Sequence, residues 1–429
     1  MYQSIFSIAI PNILSNLSIP LLSFVDTLII GHLDKVSYLS ALALAGMIFN
    51  LLYWSFGFLR MSTTALCAQS LSNINDLKNN PISWFYRSFF MSITIGFLII
   101  LLKVPIQELF FIYIDASAET IKFAKVYFDI RIYAAPATLS LYAINGYFFG
   151  IQNTKVPLYL TVLANICNLC LNYFFVYELN YDIDGVAYAT LISQYLAFIV
   201  ALLLIIKSSK YSTTLKEIFD LDSFVKIIKV NTDIFIRTFC LISSFSLFTI
   251  YSSKQSDQIL AINSILMQFY GFLSYGMDGL ALAAETLVAK QIGLNDRSLL
   301  KNIIKKIWFS SFILSIIYTV CFYFLVEEII SILTHHQNII SISKKYFLWI
   351  VISPLINSPA YILDGIFLGA IQSKILRNAM LISFLLVFLP CLYYLPTVFA
   401  NHGLWLAMSL FMVARSVTLL FYYKKLHFN

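Results

Sequence analysis

Apolar runs, each near the roughly 20 residues that a helix needs to cross a bilayer, recur along this chain from end to end. Twelve occupy residues 5–30, 38–70, 82–103, 120–149, 157–177, 184–206, 233–251, 258–289, 304–325, 340–369, 378–397 and 402–423. Hydrophobic residues make up 60% of the chain and charged residues 11%, a balance that excludes a soluble globular protein. In lipid every backbone polar group needs an internal partner, so the runs are expected to be helices. The short alternating segments of a membrane β-barrel are absent from the sequence. The fold class read from these runs is all-α integral membrane.

Lysine and arginine placement sets the orientation. With a cytoplasmic N-terminus, 17 basic residues fall in cytoplasmic loops or in the run ends beside them and 7 likewise on the opposite side, which leaves Arg60, Arg131, Arg237 and Arg415 in the interior of runs. Both termini are therefore expected in the cytoplasm, the protein being multi-pass in a cytoplasmic (inner) membrane. The formal net charge of +7 is carried by those loops, so it gives no reason to invoke nucleic acid. The first run has no basic leading segment and carries an acid, so it reads as a retained helix and not as a signal peptide.

Two stretches repeat each other more than 200 residues apart. Asn145-Gly-Tyr-Phe-Phe-Gly150 reads against Asp364-Gly-Ile-Phe-Leu-Gly369, and Trp84-Phe85 with Ser88 and Ser92 is echoed by Trp308-Phe309 with Ser311 and Ser315. The order is kept and the offset drifts only from 219 to 224. A duplicated membrane domain is the build of many secondary transporters. Six helices per half return the chain to the same side, so a pseudo-two-fold axis along the membrane normal is expected between two six-helix bundles. The expected division is 1–206, a polar cytoplasmic linker 207–231, and 232–429. A phosphate-binding glycine loop is lacking, which argues against ATP as the direct energy source.

A charge near the bilayer centre costs roughly 2.5–3.5 kcal/mol on insertion scales, so each one in a run needs a reason. Asp26 stands in Ile19-Pro20-Leu-Leu-Ser-Phe-Val-Asp26-Thr27-Leu-Ile-Ile30. It is either a titrating group for ion coupling or a structural acid paired with Arg60 or Arg131. Pro11 and Pro20 share its helix, and each removes a backbone hydrogen bond where the helix can bend. Asn165, Asn168 and Asn172 lie on one helical face, with Thr190 in the next run; amides there coordinate a cation or bind neighbouring helices.

In the second half the embedded acids are Asp278, Glu285 and Asp364, the last replacing Asn145 of the first repeat. Asp129 with Arg131, Asp233 with Arg237, and Arg415 read as structural. All six cysteines fall inside runs; Cys167 and Cys170 form a CxxC with no second ligand pair, so ordinary helix packing is the reading and no metal site is expected. The five histidines sit near run ends or in loops, so no catalytic constellation is assembled and an enzyme is not expected. No cofactor is expected beyond a coupling ion, proton or sodium.

On these residues the chain resembles the multidrug and toxic compound extrusion (MATE) transporters of the DinF-like branch. The resemblance rests on Ala9-Ile-Pro11 through Pro20 with Val25-Asp26-Thr27 and Gly31-His32-Leu33, and on Gly57-Phe-Leu-Arg60 with Ala68-Gln69. It continues in Ala261-Ile-Asn263 with Asp278-Gly279 and Ala284-Glu285, and in Leu363-Asp364-Gly365 through Gly369 with Arg377-Asn378. It implies two six-helix bundles and export of amphipathic, often cationic, organic compounds in exchange for protons or sodium ions. It further implies that Asp26 carries coupling, that Pro11 is the hinge, and that Asp26, Asn168, Asn172 and Thr190 make the amino-half cation site. Such a site usually has an Asp at the position of Asn172, so this chain has one carboxylate fewer there, with Asp184 the nearest candidate to compensate. Asp364 matches an acid used for cation binding in another branch.

The leading function is a cation-coupled antiporter working by alternating access. Its cavity is expected among Tyr53, Trp54, Phe56, Arg60, Tyr142, Asn145, Asn263, Phe269 and Tyr270, aromatic walls suited to flat or cationic guests. A flippase of a lipid-linked precursor is the competing transporter reading, against which the few embedded basic residues argue. One chain holding both bundles is expected to work as a monomer.

Overall fold

The computed structural model describes residues 2–31, 36–72, 76, 78–112, 117–208, 213–333 and 337–423. Side chains are described throughout these except at residues 17–31, 36, 37, 39, 72, 208, 257, 261, 332, 333 and 337–339. Asp26 and Pro20, and the loop residue His32, thus lie outside the described side chains.

Among the described residues all regular structure is helical. In chain order the helices are α1 (Tyr2–Gly31), α2 (Val36–Ser55), α3 (Phe58–Gln69), α4 (Pro81–Leu101), α5 (Lys103–Phe111), α6 (Ala118–Arg131), α7 (Ala135–Gly150), α8 (Lys155–Tyr173) and α9 (Ile183–Ser208). They continue as α10 (Leu215–Ile218), α11 (Leu221–Gln255), α12 (Asp257–Gly293), α13 (Arg297–Leu333), α14 (Gln337–Ser343), α15 (Phe347–Gly369), α16 (Ser373–Ile382) and α17 (Leu389–Tyr423). Each of the twelve apolar runs falls in this helical sequence. Runs 38–70 and 120–149 are each built from two helices in succession, α2–α3 and α6–α7. The last two runs are continuous in α16–α17 but for a fold at Ala400, whose φ of 48° and ψ of −129° break the helix. Gly403 makes that fold close: a Cβ there would lie 2.3 Å from the Leu395 carbonyl oxygen.

The long helices leave much of their apolar surface uncovered. In the nine long, apolar helical spans of the described residues, only 28–50% of the apolar window is buried. Side chains such as Phe97, Leu101, Ile206 and Leu386 stand mostly exposed. A water-soluble helix hides its apolar stripe; these faces need a lipid solvent. The protein is a multi-pass membrane protein.

The helices group into two compact units, Leu14–Ile227 and Met1–Ile13 with Ile228–Asn429. This division differs from the expected 1–206, 207–231 and 232–429 in two places. The start of α1 packs with the second unit, where Asn12 Nδ2 donates to the Asp278 carbonyl at 3.5 Å and Gly279 lies against the Ala9 carbonyl. The connection after α9 packs with the first unit. There Arg87 of α4, fully buried, donates to the carbonyls of Lys78 (2.7 Å), Glu217 (2.7 Å) and Ile218 (3.0 Å). Ser83 donates to Thr213 at 2.7 Å, and Lys78 pairs with Asp220 at 2.9 Å. What the sequence presents as a polar linker is thus tied onto the end of α4 by its own backbone carbonyls.

The repeat has a structural meaning within each unit. Gly146 and Gly150 of α7 bring it against α3: added Cβ atoms would lie 2.7 Å from the Arg60 carbonyl oxygen and 2.9 Å from that of Thr64. Gly365 and Gly369 of α15 do the same against α12, at 2.3 Å from the Ala281 oxygen and 2.4 Å from that of Glu285. Small residues four apart let two membrane helices approach backbone to backbone.

Candidate functional site

Three of the polar residues expected in the amino-half cation site meet in the first unit. Asn172 Nδ2 donates to Asn168 Oδ1 at 2.9 Å, and Asn168 Nδ2 donates to Thr190 Oγ1 at 3.2 Å. The Thr190 hydroxyl donates in turn to the Val186 carbonyl at 3.0 Å, one turn back along α9. All three side chains are buried. The i, i+4 spacing on α8 stacks the two amides, and the close packing of α8 on α9 supplies the third group. Just beyond, the backbone passes from α-helix to π-helix over Phe174–Glu178, a wider turn that often marks functional positions. Asp184 is not brought to this set. It stands in the first turn of α9, where its Oδ1 accepts from the Asp182 backbone N–H at 3.1 Å.

In the second unit Asp364 is buried, and two guanidiniums converge on one of its oxygens. Arg237 of α11 donates to Oδ2 at 2.5 Å and Arg415 of α17 at 2.7 Å. A carboxylate so held is already neutralised, and a coupling cation would have to compete with two fixed positive charges. Glu285 is buried on α12, and its peptide carbonyl lies under Gly369. Asp278 Oδ2 accepts weakly from the Ser274 hydroxyl at 3.4 Å.

Two expected ion pairs are replaced. Asp233 pairs with Arg377 at 2.7 Å and accepts from Ser373, which frees Arg237 for Asp364. Asp129 pairs with Lys103 at 2.8 Å, while Arg131 lies over the Phe49 ring and donates to the Tyr127 hydroxyl. Residues two apart on a helix do not face each other, which is why Asp129 and Arg131 part.

The expected cavity residues divide. Tyr53 is buried against Phe49 in the aromatic cluster that holds Arg131. Trp54 is exposed, and Phe56 leans on Phe58. The Arg60 guanidinium lies 5.8 Å from the Phe149 ring centre. Tyr142 and Asn145 are half-buried on α7, with Asn145 Oδ1 shielded and without a hydrogen-bond partner. In the second unit Phe269 packs edge-on against Phe322 and Tyr270 against Trp405, both in the core. Asn263 is consumed by a buried network: it donates to Ser252 and Asn401 at 2.7 Å each, and accepts from Asn401 and Trp405 at 3.0 Å each. Pro11 is half-buried in α1, which runs through it without interruption.

The MatE family model matches residues 11–174 and 234–393, one stretch in each half of the chain. This chain belongs to the MatE family. Relatives agree along nearly its whole length. It is 31% identical to the DNA damage-inducible protein F of Escherichia coli K12, over 97% of this chain and 91% of that one. It is 24% identical to a probable multidrug resistance protein NorM of Photorhabdus laumondii, over 89% and 84%. Among solved structures, a multidrug resistance MATE family transporter in an outward-facing conformation superposes with a TM-score of 0.87 at 16% identity, covering 99% of this chain and 95% of that one. The all-helical membrane fold is accordingly that of MATE transporters.

Within this MATE chain the Asp364–Arg237–Arg415 cluster and the Asn263–Asn401–Trp405 network are two buried polar features that the sequence does not reveal. Arg237 and Arg415 were half visible, as two of the four basic residues that the loop assignment places on neither side of the membrane. Nothing in the sequence sets them on one carboxylate, since 127 and 51 residues separate them from it.

Proposed function

We propose that this MATE transporter is a cation-coupled antiporter that exports amphipathic organic compounds by alternating access, with coupling in the amino-terminal half. The observation that carries the reading is the buried chain Asn172–Asn168–Thr190, three polar side chains assembled between α8 and α9 where lipid-spanning helices otherwise pack apolar groups. Such groups are expensive to bury and mark ion paths in membrane proteins. The set is neutral. The charge that responds to an ion must come from a neighbour, and Asp26 of α1 is the acid that the family resemblance assigns to it. Protons are favoured over sodium as the driving ion, because two amides and a hydroxyl supply oxygen ligands but no second carboxylate. Relatives named as multidrug resistance and multidrug and toxin extrusion proteins support organic cargo.

The test is efflux of a fluorescent cationic dye from proteoliposomes under an imposed proton or sodium gradient, wild type beside Asp26→Asn. Proton-driven efflux that is lost in the variant is expected. Full gradient-driven efflux by Asp26→Asn would overturn coupling at that residue, and a response to sodium alone would overturn the proton assignment.

A further inference from the structure

The last two apolar runs meet at a strained fold. Ala400 has φ 48° and ψ −129°, a positive φ that a residue with a Cβ keeps only where its surroundings fix it. Two of the fixing contacts are buried: Asn401 is bound to Asn263, and Gly403 lies against the Leu395 carbonyl. A third is at the surface. Trp349, in the first turn of α15, donates its indole N–H to His402 Nδ1 at 3.0 Å. The ring of Tyr346, buried just before α15, stands against the same imidazole with ring centres 4.8 Å apart.

The Trp349–His402 bond tolerates only one protonation state. An indole N–H donates and never accepts, so His402 Nδ1 must be bare and the ring proton must sit on Nε2. A second proton would set two donors face to face, and the bond would be lost. The same proton would favour the Tyr346 ring, because an aromatic face attracts a cation. Protonation therefore exchanges partners: Trp349 is released while the imidazole stays on Tyr346. The charged groups nearby are engaged elsewhere or exposed. Lys344, two residues before Tyr346, pairs with Glu327 of α13, and Lys254 at the end of α11 lies over the Tyr251 ring. Lys345 and Glu328 are exposed. Among the described residues no carboxylate forms an ion pair with the imidazole.

We propose that His402 is a pH-sensitive latch between the start of α15 and the fold at Ala400. It is closed while the imidazole is neutral and opens when the solution at this end of the second unit turns acid. The bond needs the neutral ring, so its contribution is present above the titration of the histidine and lost as pH falls through it. The far end of α15 leads to Ser373 and Arg377, which hold Asp233 through a hydrogen bond and an ion pair with no histidine in them. Acid would thus loosen one end of α15 and leave the other tied. Export is not required for this: two side chains and a change of pH suffice.

The experiment follows the indole N–H signals of the full chain in detergent by NMR, with isotope-labelled tryptophan, from about pH 8 down to about pH 5. The chain has five tryptophans, and Trp349→Phe assigns the signal in question. In wild type that signal is expected to move to the position of a free indole, the ratio of bonded to free falling on the order of tenfold across the range. The other tryptophan signals should hold. His402→Gln supplies an amide oxygen that accepts at every pH in the range, so the bonded signal should persist throughout. His402→Phe has no acceptor and should show the free signal already at about pH 8. His402 is exposed, so both variants are expected to fold. A Trp349 signal that stays bonded in wild type down to about pH 5 would overturn the proposal. So would an acid shift of the same size in His402→Gln, which would place the titrating group elsewhere. Movement of all the tryptophan signals together would mean a general loosening and not a latch, and would overturn it as well.

Discussion

Asn172 and Asn168 are bound amide to amide, Nδ2 to Oδ1 at 2.9 Å, one turn apart on a buried face of α8. The bond occupies the carbonyl oxygen of Asn168, an atom that an ion would otherwise use. An Asp at position 172 would present an acceptor there instead, and the pair would then need a cation or a turned amide between them. Asn172→Asp is therefore expected to create a sodium site where the wild type has a hydrogen bond. Thermal unfolding in detergent checks it, with sodium chloride compared against choline chloride. At a sodium concentration about 100 times the dissociation constant the variant should gain about 2.7 kcal/mol, with little change in wild type. An equal sodium response in both proteins would show that Asn172 is not what limits sodium binding.

The glycine pairs on α7 and α15 give a sharper stability test. At Gly365 an added methyl group would meet the Ala281 carbonyl oxygen at 2.3 Å, and a backbone atom inside a packed helix pair has nowhere to go. Gly365→Ala should destabilise by about 3 kcal/mol or more, as overpacking does at rigid sites. At Gly46 of α2 nothing lies within 4 Å of the added atom. Gly46→Ala should be neutral or more stable by about 0.5–1 kcal/mol, from helix preference alone. Melting temperatures of the two variants beside wild type decide it. Similar losses in both would mean that close approach is not what these glycines provide.

The fold was largely written in the sequence because lipid leaves a chain few choices. Twelve apolar runs had to be helices, and the matching Asn145–Gly150 and Asp364–Gly369 motifs already contained the glycines that seat α7 on α3 and α15 on α12. The α8 amides were legible too, since i, i+4 spacing fixes a shared face whatever the tertiary structure. Partners across helices were not. Asp233 and Arg237 have a spacing that permits pairing, and only the packed structure shows Arg377 taking the acid instead. Asn263 looked like a cavity residue because polarity in an apolar run signals either a ligand or a buried network. The side chains of Asn401 and Trp405, more than 130 residues on, decide for the network.

The Lys78–Asp220 pair adds a pH dependence outside the membrane. Hydrogen bonds from Lys78 and then from the Ser223 hydroxyl and backbone N–H hold the Asp220 carboxyl at about 2, below the ordinary carboxylate range. A depressed folded value stabilises the folded state above the unfolded value and loses that contribution as pH falls through about 2. The clasp should therefore be insensitive to pH near neutrality and loosen only between about pH 4 and pH 2. Hydrogen exchange at residues 213–227, followed from neutral pH downward, checks the window after correction for intrinsic rates. Asp220→Asn should flatten that acid-dependent rise; an unchanged profile would place the sensitivity elsewhere.

Arg87 makes the strongest claim about the same connection. Its guanidinium is fully buried, lies over the Trp84 ring at 4.5 Å, and gives three hydrogen bonds to backbone carbonyls, two of them at the end of α10. Removing it strands those carbonyls, at about 1–3 kcal/mol for each acceptor left unsatisfied. Arg87→Met keeps most of the side-chain volume and should leave the helices intact while releasing residues 213–220 from α4. Limited trypsin digestion reads this directly, because Lys216 lies in α10 and is exposed. Cleavage there should become at least tenfold faster in Arg87→Met, with helical content by circular dichroism unchanged. Arg87→Lys should restore protection only in part, since a single ammonium cannot reach three carbonyls in the geometry of the guanidinium fork. Full protection in Arg87→Met would mean that Ser83–Thr213 and Lys78–Asp220 suffice to hold the connection without the arginine.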